Sequence, residues 1–422
     1  MDVTVIFVLI YLLTLLISAT EMLPMSVAAL IGALFTVWFG LQYGVFTYNE
    51  VANFVDFRII GLIVGVMIVV EIAERSGLFR FIALNSIRAT GGNPRRLFIA
   101  LCITAALASM FLSDPAALLL MAAATTTIAK LLDYDPVPYF ISAVIMVNVG
   151  GTGTLIGSIS NMIIGVQAGF SFSEFISYLI LCELALWGLT TLSLYAIFKK
   201  RLGEEKALPS YDPWEGVKDR KLLKRSAMIL ALLLILFVLL DLLNVGPEAI
   251  ALGCAIIALA VSGLDPAEVF GHLDWETVFF LSGFLLIVGG MEKTGVLTLI
   301  SQQIVGLAGE SSLKATLLVL WSSGLTSAIV SNIAVALTFT PIIQGLSTFN
   351  STALWSALIL GSNLGGATTP LSGTVTVLAM GTLKREGSKM SFKEFTKVGA
   401  VTSFVQLGFS TLYLIGRFGL VM

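Results

Sequence analysis

The sequence predicts an all-α polytopic membrane protein of two inverted repeats, each with five transmembrane helices, one of them broken, and one re-entrant helical hairpin. Composition is the first reason: 57% of the 422 residues are hydrophobic and 12% are charged, which excludes an ordinary soluble core. Apolar stretches long enough to cross about 30 Å of hydrocarbon then recur along the whole length. Finally, the chain matches itself. Asp56, Gly77 and Ser113-Asp114 align with Asp274, Gly295 and Ser331-Asn332 at an offset of 218 residues. The offset is 215 where Asn148-Val149-Gly150-Gly151-Thr152-Gly153-Thr154 meets Asn363-Leu364-Gly365-Gly366-Ala367-Thr368-Thr369, and 220 where Phe172-Ser173-Glu174-Phe175 meets Phe392-Lys393-Glu394-Phe395. Two diverged copies in a membrane chain mark a secondary transporter whose site lies where the copies meet.

The first copy, 1–200, carries spans at 5–20, 25–44 and 57–74, a hairpin over 97–130, a span over 138–165 and a last span at 174–198. Ser113-Asp114-Pro115 interrupts the hairpin segment at its centre, so the chain is expected to enter the membrane there and turn back. Segment 5–20 has no basic residue in its leader, Met1-Asp2-Val3-Thr4, and is repeated at 226–243, so it reads as a mature span rather than a signal peptide. A cytoplasmic linker, 201–224, contains Pro209 and Asp212-Pro213. The second copy, 225–422, repeats the series: spans at 226–243, 247–263 and 275–291, a hairpin over 313–347 interrupted at Ser331-Asn332, and spans at 353–381 and 395–416.

Charge tests this layout. Alternating the spans collects 20 of the 24 Lys and Arg on one side, and loop 75–96 alone holds Arg75, Arg80, Arg88, Arg95 and Arg96 with no acid. The positive-inside rule makes that side cytoplasmic, puts both termini outside, and places the chain as a multi-pass protein of the cell (plasma or inner) membrane. Five spans per copy, an odd number, turn the second copy upside down relative to the first. Cys102, Cys182 and Cys254 stand singly in apolar segments and read as small hydrophobes. No GxxxxGK[ST] pattern occurs, so the chain is not expected to hydrolyse ATP by itself, and no constellation of HExxH or Ser-His type points to an enzyme. Nothing suggests a nucleic-acid partner, a metal site or a cofactor beyond a coupling ion, H⁺ or Na⁺.

The chemistry is expected at four interruptions. Within hydrocarbon, non-helical backbone persists only where protein shelters it or where it lines a wet cavity. Two interruptions are the hairpin tips, where Ser113, Asp114, Ser331 and Asn332 read as caps for the outgoing arms and Pro115 suits a first helical turn. The other two are the Gly-rich breaks. Helix starts near the midplane aim N–H groups and partial positive charge at whatever lies between them. Hydroxyls of Thr152, Thr154, Thr368, Thr369 and Ser372, with the amide of Asn161, add neutral donors and acceptors; Gly153 and Ala367 complete the breaks. Asp114 is a mid-membrane acid, a candidate proton-coupling or ion-coupling group, and Glu183 is the second such candidate. Read as plain helix packing, the same glycines and threonines would only bring helices close together. His272, in a loop, is expected to take no part.

Hairpin tips of this kind, each followed by a Gly-Gly-Thr-x-Thr-type span, resemble the ion transporter superfamily, specifically the arsenite permease and citrate-transporter-like branch. Dicarboxylate carriers, NhaD-type Na⁺/H⁺ antiporters and the pigmentation P protein are relatives of that branch. The resemblance implies that two hairpins and two broken helices surround the substrate and that a transport domain moves against a scaffold. The spans in 5–44 and 226–263 lack Gly-Gly breaks, so they are the expected scaffold and the expected homodimer interface within membrane lipid. Carried over, it implicates Ser113, Asp114, Thr152, Gly153, Thr154, Asn161, Ser331, Asn332, Ala367, Thr368, Thr369 and Ser372. Ser113-Asp114-Pro115-Ala116-Ala117 is similar to the Asn-Asp-Gly-Ala-Ala run of arsenite permeases, whereas Ser331-Asn332-Ile333 departs from the Ser-Asn-Thr of dicarboxylate carriers. The expected activity is proton-coupled export of a small metalloid oxyacid such as arsenite or antimonite. The alternatives are a Na⁺- or H⁺-coupled carrier of carboxylate or inorganic anions, and a Na⁺/H⁺ antiporter. An arsenite-type permease could also engage a cytoplasmic ATPase partner.

Overall fold

Asp56 and Asp274, matched in the two halves, each cap a helix of 19 residues. The Asp56 carboxylate accepts from the N–H of Arg58 and that of Asp274 from the N–H of Thr277, satisfying donors that a helix start leaves open. These helices close at Arg75 and Lys293, and two residues later Gly77 (φ 78°) and Gly295 (φ 79°) turn the chain in the left-handed region that side chains resist.

The computed structural model describes residues 2–420 except 21, 113, 207–211, 213, 215–216, 218, 244, 371–375, 377–379 and 381–389. In chain order the first half holds α1 (Val3–Ala19), α2 (Met25–Gln42), α3 (Tyr48–Val51), α4 (Phe57–Arg75), α5 (Leu78–Arg88), α6 (Pro94–Ser109), α7 (Asp114–Leu132), α8 (Pro136–Gly150), α9 (Ile159–Ala168) and α10 (Phe172–Phe198). The second holds α11 (Arg220–Leu239), α12 (Pro247–Ser262), α13 (Pro266–Gly271), α14 (Trp275–Lys293), α15 (Val296–Ala308), α16 (Ser312–Ser327), α17 (Asn332–Gln344), α18 (Ser351–Gly365) and α19 (Phe392–Phe418). Among the described residues α2, α10, α11, α14 and α19 are long and apolar enough to cross a membrane. α10 and α19 begin alike, with Ser171 and Ser391 each accepting from the N–H of the glutamate three residues on.

The halves exchange their frame helices. α14 packs on α2 and α12 on α4. Small residues allow both approaches: a methyl group added at Gly65 would lie 2.7 Å from the carbonyl carbon of Ala251, and one at Gly283 would lie 2.8 Å from that of Ala29. Each hairpin's incoming arm packs on the helix that precedes a break, α6 on α8 and α16 on α18. Here too glycine sets the distance, because a methyl group at Gly150 would overlap the Ala106 carbonyl oxygen and one at Gly365 that of Gly324.

Two features depart from the sequence expectation. The loop after the third span contains an amphipathic helix, α5, and its counterpart α15 fills the stretch between 291 and 313. Both are too short and too polar on one side to register as spans. α11 starts at Arg220, capped by Asp219, because its first turn is helical but basic and hydropathy sees only the apolar part. The span over 138–165 is two helices, α8 and α9, joined by an unwound segment at the Gly-rich run where the break was expected.

Candidate functional site

The first break runs from Gly151 to Ser158. Carbonyls at its start are taken up by one side chain. Asn161 Nδ2 donates to the carbonyl oxygens of Gly151 (2.7 Å) and Thr154 (2.8 Å), from a position with 0% exposure. The Thr152 hydroxyl donates to Asn148 O at 3.2 Å, and the Thr154 hydroxyl donates to Met110 O at the end of α6, 2.9 Å away. This is how non-helical backbone is sustained away from water.

The second break begins after α18 and is tied to its hairpin in the same way. The Thr369 hydroxyl donates to Ala328 O (2.6 Å), at the position matched to Met110, and Ser327 donates to Ser362 O (2.5 Å). Ser403 on α19 adds a bond to Leu364 O at 2.9 Å. Asn363 then joins the breaks: its Nδ2 donates to Asn161 Oδ1 at 2.7 Å, and its Oδ1 accepts from Ser160 Oγ at 3.2 Å. Beside this pair the starts of α9 and α17 converge. Ser158 Oγ lies 3.0 Å from Ser160 Oγ and accepts from Asn332 Nδ2 at 3.4 Å. Two helix N-termini and a ring of amides and hydroxyls therefore face one another, with no Lys or Arg bonded to any of them among the described residues.

Two cavities lie beside this region, at opposite ends of α4 and α14. One, of about 960 Å³, is lined by Val70, Glu71, Glu74 and Arg75 at the end of α4, Leu119 of α7, Asp274 at the start of α14, and Ile156, Ile159 and Met162 of the first break and α9. The other, of about 700 Å³, is lined by Val288, Gly289 and Glu292 at the end of α14, Leu337 of α17, Asp56, and Ile163 of α9. Val70, Glu74 and Leu119 match Val288, Glu292 and Leu337 at 218 residues, so the cavities are related as the halves are.

Ion pairs at the two cavities obey the same offset. Arg75 reaches Glu268 at 3.3 Å while holding Glu71 at 2.6 Å, and Lys293 reaches Glu50 at 2.7 Å. Lys293 matches Arg75, and Glu268 matches Glu50. The Lys293 ammonium, with help from Thr47, holds the Glu50 carboxyl down at about 2.

Glu183 sits midway along α10 with 0% exposure. Its Oε1 accepts from Trp187 Nε1 at 3.1 Å, and its Oε2 has no hydrogen-bond partner among the described residues. That oxygen lies against the first break, where a methyl group on Gly153 would overlap it.

Of the residues expected from sequence, the structure brings Thr152, Gly153, Thr154, Asn161, Asn332, Ala367, Thr368 and Thr369 to the two breaks. The hydroxyls of Thr152, Thr154 and Thr369 face backbone carbonyls and fasten the breaks. Ser331 occupies the N-cap of α17 but makes no capping bond through its side chain. Asp114 is the first residue of α7 and only its backbone is described; Ser113 and Ser372 lie outside the described residues. Sequence reasoning passed over Asn363, Ser158, Ser160 and Ser403. For Asn363 the signal was there, since an asparagine in an apolar span recurs as Asn148 in the other copy.

Comparison with known proteins agrees with this architecture. The family model described as "Citrate transporter" matches residues 11–356. A "46 kDa membrane protein" of Mycobacterium leprae is 28% identical over 420 residues, covering 97% of this chain and 98% of its own. An uncharacterized transporter of Mycobacterium tuberculosis is 30% identical over 372 residues, 85% of this chain and 86% of the relative. The crystal structure of the YdaH transporter of Alcanivorax borkumensis superposes with a TM-score of 0.66 at 18% identity, covering 99% of this chain and 98% of that one, a likeness of fold.

Proposed function

The chain belongs to the citrate transporter family and is a multi-pass membrane transporter; we propose that it is a secondary active carrier that couples protons to export of a small metalloid oxyacid such as arsenite or antimonite. The observation that carries this reading is the meeting of the two breaks through neutral groups only: Asn161 with Asn363, and Ser158 with Asn332. A small trihydroxy solute offers donors and acceptors of the same kind and needs no counter-charge. Paired helix starts add a partial positive potential that suits a weakly acidic species. Carriers with such broken helices place substrate and coupling ion at the ends of half-helices, near the midplane. Asp114, at the start of α7, is the coupling acid in this reading.

The family's description favours a second reading, transport of citrate or a related carboxylate. The cavities speak against it in charge. The larger one presents Glu71, Glu74, Glu268 and Asp274 against a single arginine, Arg75, and would repel a polyanion. Helix N-termini would have to hold the carboxylates without a basic side chain.

Purified protein in liposomes, given a pH gradient or a Na⁺ gradient, tests the assignment by movement of arsenite, citrate and succinate side by side. Arsenite movement driven by the pH gradient and abolished by Asp114→Asn is the expected result. Citrate or succinate movement driven by either gradient, with arsenite excluded, overturns it in favour of the second reading.

A further inference from the structure

Among the described residues Glu183 makes no hydrogen bond to another helix, and its surroundings are unusual for a carboxyl group. It is fully buried about halfway along a 27-residue helix whose other face carries exposed Leu181, Leu184 and Leu192. A buried carboxylate is costly unless paired. Here one oxygen has a single indole N–H and the other has no hydrogen-bond partner among the described residues. α6, α8, α11 and α19 pack on α10. They carry their charges at their ends: Arg95 and Arg96 on α6, the basic run from Arg220 to Arg225 on α11, and Lys393, Glu394, Lys397 and Arg417 on α19. α8 has none. The titratable neighbour among the described residues is Cys182, adjacent to it on α10 itself.

The second half shows that packing alone does not require an acid here. Ser403 stands at the matched position and donates to Leu364 O, so a neutral hydroxyl suffices to hold α19 to α18 just before its break. In the first half the acid instead rests its open oxygen on Gly153, the residue between Thr152 and Thr154, and only the missing side chain of glycine leaves room for it. Movement of the break must therefore alter the space and the water at this carboxyl group.

We propose that Glu183 is a proton-binding site seated on the first break, so that gain or loss of its proton is tied to the position of the segment that carries Thr152 and Thr154. The proton adds to the open Oε2 when the break closes over it and leaves to water when the break withdraws; no other group changes bonding. The inference deepens the proton-coupled reading and rests on it for its role in transport, but the site itself can be tested without a substrate.

Trp187 supplies the reporter, since its indole is bonded to the same carboxyl group. Emission of the purified protein is recorded against pH for the wild type, Glu183→Gln and Trp187→Phe. The expected result is a titration step in the wild type that is lost in both variants. Its absence from the wild type overturns the inference whatever the solute, and Trp187→Phe alone identifies the step should Glu183→Gln fail to fold. In liposomes, Glu183→Gln is expected to retain exchange of arsenite across the membrane and lose accumulation driven by the pH gradient. Driven accumulation intact in Glu183→Gln removes the coupling role. Failure of arsenite to move at all, with the titration step present, breaks the solute assignment and leaves the proton site standing.

Discussion

Where the first half sets Gly153 beneath the carboxyl group of Glu183, the second sets Thr368 against Gly399, so clearance and bulk have changed places between the long helix and the break. A methyl group at Gly399 would come 2.5 Å from the carbonyl oxygens of both Ala367 and Thr368. The fastening is otherwise shared: Thr154 and Thr369 each tie a break to the hairpin beside it, and Gly150 and Gly365 each admit an arm of that hairpin. The difference teaches that the mechanical frame of the two copies is common property while the chemistry has diverged. One break faces an acid, the other a hydroxyl. In the proposed mechanism, coupling to a proton belongs with the first.

The largest effect is expected where the copies agree. Gly150→Ala and Gly365→Ala should each destabilise the protein by about 3 kcal/mol, because the neighbour is backbone and cannot rotate away. Thermal unfolding in detergent measures both, and a gap of more than about 1 kcal/mol between them would break the equivalence of the two frames. Gly153→Ala and Gly399→Ala come next, at about 2 kcal/mol each, with a contrast. Adding Glu183→Ala should recover about 1 kcal/mol of the Gly153→Ala loss, whereas no change at Thr368 should rescue Gly399→Ala, whose neighbours are carbonyl oxygens.

Asn363→Ala should cost about 2 kcal/mol, since it strips the buried Asn161 of a partner; its counterpart Asn148→Ala removes only a bond to Val144 O and should cost about 0.5 kcal/mol. Equal losses would mean that the link between the breaks carries no weight. Thr154→Val and Thr369→Val should each lose about 1 kcal/mol, a matched pair of hydroxyl-to-carbonyl bonds.

The smallest effect lies at the rim. Because the Glu50 carboxyl is held down to about 2 when folded, from an ordinary value of 4.5, its pair with Lys293 stabilises above pH 4.5 and releases that contribution as pH falls toward 2. The difference in melting temperature between wild type and Lys293→Met should therefore be constant from neutral pH to about 5 and vanish near 2.

Much of this was legible in the sequence for definite reasons. The spans are long and apolar, so hydropathy finds them. The breaks pair a Gly-Gly step with threonines twice, so self-comparison finds them. Asn161 and Asn332 could be named because amides in apolar spans are rare. What the sequence does not display is direction. Thr152, Thr154 and Thr369 read as donors to a solute, and only the fold shows their hydroxyls turned to Asn148, Met110 and Ala328. Asn363 was visible as a repeat and not as a contact, because its partner Asn161 lies 202 residues away. The amphipathic α5 and α15 escape a hydropathy window that averages over both of their faces.

The reciprocal pairs Arg75–Glu268 and Lys293–Glu50 bear on the origin of the molecule. Each half contributes the cation to one clasp and the acid to the other, just as Gly65 seeks Ala251 while Gly283 seeks Ala29. Neither half can close its own clasps. A single-copy ancestor would have carried both members of each contact and could join them only by associating with a second ancestral chain about a twofold axis. Fusion of two such chains would keep every contact and make the association permanent. It also frees each copy to vary alone, which is how an acid can persist at 183 opposite a serine at 403.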